Sequence, residues 1–171
     1  MKQWIIKTIL VMGLGFISNF SMAQIDPTDS LPGDPGGMTV YTVQNMSFGA
    51  FSIGGAGGTV IVSTSGTRSV TGDVVPLNLG TSYFQAIFDI DTPQGSIVSI
   101  VNGSDATLTG SNGGSMSMHI GNSDPPSPFI TTVMQPSRTQ VSISGTLTVG
   151  SPAANPPGTY NGTFYITFNQ E

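Results

Sequence analysis

Residues 141–168 read VSISGTLTVGSPAANPPGTYNGTFYITF and alternate with period two on both sides of a Pro/Gly-rich break. Val141, Ile143, Leu147 and Val149 share one parity, with Ser142, Ser144, Thr146 and Thr148 on the other. After the break, Tyr160, Phe164, Ile166 and Phe168 alternate with Asn161, Thr163 and Thr167, and Tyr165 is the one large ring on the outer parity. Successive side chains on a strand point to opposite faces, so this pattern describes two strands, each with a dry and a wet face.

Working outward, similar runs recur every 8–12 residues between Gly, Asn or Pro turns. Thr39–Val43 is followed by an apolar group at Met46, Phe48, Phe51 and Ile53. Thr59–Thr64 is the next strand, and Asp73–Leu79 follows with Pro76 marking an edge or a bulge. Phe84, Ala86, Phe88 and Ile90 alternate, as do Ala106 with Leu108 and Met116, Met118 and Ile120. Ser96–Val101 is apolar on both faces, and Phe129–Met134 reads as an irregular strand. The run Gly54–Gly58 reads as a flexible turn between strands. No window carries a 3.6 period. The expectation is an all-β chain: one antiparallel, immunoglobulin-like β-sandwich with Greek-key connections and almost no helix.

The start of the chain reads differently. Lys2 and Lys7 precede an apolar run, Ile9 to Phe20, and Ser21-Met22-Ala23 has the small-x-small form of an export cleavage site. The run is short and interrupted for a membrane span, which needs about 20 apolar residues. The expected organisation is a signal peptide over 1–23, a Pro/Asp/Gly leader over 24–37 and a β-sandwich domain over 38–171, with no membrane insertion after cleavage. That places the protein in the periplasm, at the cell surface or outside the cell. Residues 24–171 hold two arginines against nine acids, a net of −7 with His119 neutral. Such a surface offers phosphate no basic footprint, which argues against nucleic acid as a partner. The chain has no cysteine, so an exported domain of this length rests on its core alone.

Chemistry-bearing residues are sparse. His119 is the only histidine and shares parity with Ser115 and Ser117, so it reads as an exposed strand residue. No Gly-x-Ser-x-Gly elbow accompanies it. Gly54–Gly58 lacks the Lys-Ser/Thr of a phosphate loop. No catalytic residue and no required cofactor are expected. Asp89 and Asp91 are the one metal candidate: carboxylates of like parity can share Ca²⁺ with backbone oxygens, although Asp beside Thr92-Pro93 also caps turns. Tyr83 and Tyr165 are the exposed rings on which a sugar could stack. Asn45, Asn102 and Asn161 fit the glycosylation triplet, the last two also fitting Asn-Gly turns.

An ordered set of blocks completes the reading: NMSFGAF at 45–51, GTVIV at 58–62, SGTR at 65–68, GTLTVG at 145–150 and PGTYNGTF at 157–164. This order resembles the bacterial domain of unknown function family 4402, over about Thr39 to Phe168. The resemblance implies export and a β-sandwich like that of fimbrial subunits, and it supplies no catalytic residues. The Gln24–Gly37 leader departs from it.

The expected function is therefore a non-catalytic surface or fimbria-like structural subunit, assembling with itself or with other surface subunits by β-strand addition. The candidate donor strand is Met38–Met46, with Met38, Val40 and Met46 as its apolar residues. The alternative is a carbohydrate- or matrix-binding module, calcium-assisted through Asp89 and Asp91.

Overall fold

The computed structural model describes residues 2–10 as backbone and residues 37–171 in full; the Gln24–Gly37 leader and the cleavage site fall, apart from Gly37, outside the described residues. Every described element is a strand: β1 Lys2–Leu10, β2 Thr39–Gln44, β3 Ser47–Phe48, β4 Phe51–Val62, β5 Arg68–Pro76, β6 Tyr83–Phe84, β7 Ala86–Asp91, β8 Ile97–Asn102, β9 Ala106–Gly110, β10 Ser115–Asp124, β11 Phe129–Ile130, β12 Thr139–Val149 and β13 Tyr160–Gln170. All pairings are antiparallel. The all-β expectation holds.

The strands run in the order β11-β8-β13-β9-β10-β12-β4-β5, with β1 beside β13, β7 beside β12 and β2 beside β7; β3 and β6 form a separate pair. Long strands are shared between neighbours. One edge of β12 carries β7 along Thr139–Ile143 and β4 along Gly145–Val149, and its other edge carries β10. Likewise β13 pairs with β9 at Tyr160 and Asn161 and with β8 from Ile166 to Gln170. The sheet then folds over its own apolar face. Phe88 on β7 and Phe168 on β13 are not sheet neighbours, yet their rings meet edge to face with centroids 5.4 Å apart. Val141, Ile143, Leu147 and Val149 are buried with Tyr160, Phe164, Ile166 and Phe168, as their parity requires.

Although joined by one loop, β12 and β13 do not pair with each other. The loop is held by buried Asn155. Its Oδ1 accepts the Gly150 N–H at 2.5 Å and its Nδ2 donates to the Ser115 carbonyl at 2.6 Å. Asn155→Ala leaves both backbone groups without their partner, an expected loss of about 1–3 kcal/mol, measurable as a shift in urea midpoint with unchanged m-value.

The structure corrects the reading of Gly54–Gly58. This run is no turn between strands but the interior of β4, which continues from Phe51 to Val62. The register passes from Ile53 opposite Val74 to Gly58 opposite Gly72, so four residues of β4 face Asp73 alone. Gly57 has φ +72°, and a Cβ there would strike the Val149 carbonyl; one on Gly58 would strike the Thr71 carbonyl. The glycines form a bulge that lets three backbones approach closely. Two other expectations also change. The strand expected from Asp73 begins at Arg68 and stops at Pro76, on an edge as Pro76 indicated, and Phe129–Met134 shrinks to Phe129–Ile130.

Candidate functional site: the outer edge of the last strand

β13 is a strand whose two edges have different kinds of partner. Along an antiparallel strand the N–H and C=O of one residue point to the same edge, and the next residue points to the other. The Gly103 N–H donates to the Tyr165 carbonyl at 2.9 Å, and the Glu171 N–H donates to the Ile97 carbonyl at 3.0 Å. Odd-numbered residues of β13 therefore serve the β8 side. Gly162, Phe164, Ile166, Phe168 and Gln170 direct their backbone groups to the opposite, outer edge. There β1 lies antiparallel, from Lys2 opposite Gln170 to Leu10 opposite Gly162. The partner of the outer edge is thus the front of the segment that reads as an export leader.

The remaining sheet borders are blunted. β2 is bulged against β7 between Thr42 and Gln44. β5 contains Gly72 at φ +66° and ends on Pro76. β11 is two residues long and follows Pro128. Gly162–Gln170 has no proline, no charge and no register shift against β1. A long, regular, uncharged edge is the kind that pairs with another chain. Beneath it lie Phe164, Ile166 and Phe168, each at most 1% exposed.

The residues singled out in sequence are placed elsewhere. Met38 and Met46 are buried in the core, and Val40 is half-buried against it. The segment between them is β2, seated on β7 with Val40 opposite Ile90. Asp89 lies mid-strand between Tyr41 and Gln140, and Asp91 accepts the Gln135 side-chain amide at 2.7 Å. Among the described residues no three His, Cys, Asp or Glu side chains converge. The guanidinium of Arg138 lies over the Tyr41 ring at 3.8 Å and that of Arg68 over Tyr83 at 4.5 Å. Tyr165 is 45% exposed on the outer face. His119 is exposed as its parity indicates, but its Nδ1 meets Asp105 Oδ1 at 2.8 Å. Sequence reading does not find that pair: Asp105 lies in the loop just before β9, 14 residues from His119, and no periodicity reveals that β9 pairs with β10.

An apolar groove of about 250 Å³ lies beside the start of β13, lined by Phe51, Ile53, Leu77, Met116, Pro156 and Tyr160 among others. Its phenol is committed: Tyr160 Oη donates to the Pro156 carbonyl at 2.7 Å. Burial pushes the Tyr160 pKa above its ordinary value, and the Asn155 side chain opposes this more weakly. A raised phenol pKa contributes stability that is present below the unfolded value of about 10 and is lost as pH rises through the folded one. Tyr160→Phe is therefore expected to lessen the fall in stability above about pH 10, read from urea midpoints at pH 8 and 11.

The sequence profile of a domain of unknown function, DUF4402, matches residues 38–169. The chain belongs to the DUF4402 family. Comparison with curated proteins and with solved structures returns no significant match. The DUF4402 match begins at Met38 and ends at Asn169, so it takes in β2 through all but the last residue of β13 and leaves β1 outside. The long edge of this DUF4402 domain is therefore filled from beyond the family's span.

Proposed function

We propose that the protein is an exported, non-catalytic structural subunit of the cell surface, built like a fimbrial subunit and joined to its neighbour by β-strand addition on the outer edge of β13. One observation carries this reading: the longest unblunted edge of the domain takes its partner from Lys2–Leu10, a segment that reads as part of a cleavable leader. Removal of the leader leaves five residues whose N–H and C=O groups face water, above a row of buried aromatic and aliphatic side chains. An extended segment from a neighbour exchanges those water contacts for ladder hydrogen bonds, each contributing about 0.5–1.5 kcal/mol net, and covers apolar surface as well. The net charge of −7 over residues 24–171 and the Ser/Thr/Gly-rich wet faces suit a protein that works outside the cytoplasm.

The test is fractionation of producing cells. The protein is expected in material sheared from the surface, in high-mass assemblies that separate only when heated to unfolding. Recovery solely as soluble single copies in the periplasm would contradict the proposal.

A further inference from the structure

We infer that the strand completing β13 comes from a different polypeptide, so that this subunit accepts a strand without donating one. The inference rests on the strand-addition reading above and adds the identity of the partner's contact segment. The seat itself sets the requirements. β1 occupies it with nine residues free of proline, running antiparallel, and the positions opposite Phe168, Ile166 and Gly162 are taken by Trp4, Ile6 and Leu10. A donor must therefore be extended, proline-free over about nine residues, and apolar at those alternate positions.

Residues 24–171 contain no free segment of that kind. Pro27, Pro32 and Pro35 interrupt Gln24–Gly37, and a proline can neither donate to the ladder nor leave a nine-residue run between them. Met38–Met46 alternates, but it is built into the molecule: β2 is the neighbour of β7, and Met38 and Met46 are 0% and 1% exposed. Withdrawing it would strip β7 of a partner and expose both methionines. Every later alternating run is likewise seated in the sheet. Charge points the same way. Two copies at −7 repel, whereas the strand now on the edge carries Lys2 and Lys7. The donor is thus a neutral or basic extended segment of another protein, and a subunit that only accepts closes one end of an assembly.

The experiment uses residues 24–171, whose span contains every buried core residue among the described side chains, and a dye-labelled synthetic peptide of sequence KQWIIKTIL as the strand probe. The protein alone is expected to remain a single copy by light scattering at high concentration. The peptide is expected to bind one to one, and its Ile6→Asp variant to bind at least about tenfold more weakly. Self-association that the peptide dissolves would make the donor a second copy; it would overturn this inference and leave strand addition standing. Absence of saturable peptide binding would overturn both. Equal binding of the Ile6→Asp peptide would overturn the register assigned to the donor.

Discussion

Phe168→Ala is expected to cost about 3–5 kcal/mol, the usual range for deleting a buried ring, and to lower Tm by roughly 10 °C or more. The ring is fully buried and meets Phe88 edge to face across the core, so its loss opens a cavity between the two facing parts of the folded sheet. It also lies directly beneath the outer edge of β13. The informative control is Tyr165→Ala, three residues away on the same strand. Tyr165 is 45% exposed on the opposite face, and its truncation is expected to stay within about 0.5 kcal/mol. Thermal and urea unfolding of the two variants would separate inward from outward parity on β13. Similar losses for both would mean that the assignment of faces is wrong.

Gly57→Ala is the second large effect. At φ +72° a side chain costs about 1–3 kcal/mol in backbone strain. The added Cβ also meets the carbonyl of Val149 and the backbone of Gly150, and an overpacked contact of this kind costs about 1–3 kcal/mol more. Backbone atoms of β12 cannot swing aside as a flexible side chain could. Gly80 supplies the comparison: its φ is +79°, with open space around the position of a Cβ. Gly80→Ala should show the strain alone. If the two alanine variants unfold at the same urea concentration, the close approach of β4 to β12 does not restrain the fold in the way described.

These residues also show how far the sequence could be read. The faces were legible, because parity on a strand depends on nothing beyond the strand: Val141 to Val149 and Tyr160 to Phe168 bury the residues their alternation assigns. Glycine was harder to read. Gly145 sits on the inward parity of β12, where a Cβ would strike the sulfur of Met46 and crowd Phe48, yet in the sequence it is only a gap in an apolar pattern. Gly54–Gly58 looked like a turn because a bulge and a turn draw on the same residue. What distinguishes them is Gly72 and Thr71 on β5 and Val149 on β12, distant in sequence.

The candidate site was illegible for a related reason. Nothing in Gly162–Gln170 states which edge β8 takes or what lies on the other. That required the register of β8, β9 and β1 together. The parity rule could place His119 outward but could not supply Asp105. The one motif that looked chemical, Asp89-x-Asp91, has one carboxylate bound to Gln135 and the other set between Tyr41 and Gln140.

Residue-resolved amide hydrogen exchange on residues 24–171 tests the open edge most directly. Within β13 the amides of Phe164, Ile166, Phe168 and Gln170 should exchange fast, and those of Thr167 and Asn169, which face β8, should be protected. Addition of the KQWIIKTIL peptide should slow the first set and leave the second unchanged. Equal protection of both sets without peptide, or an even-numbered set that does not respond to it, would contradict a strand-accepting edge.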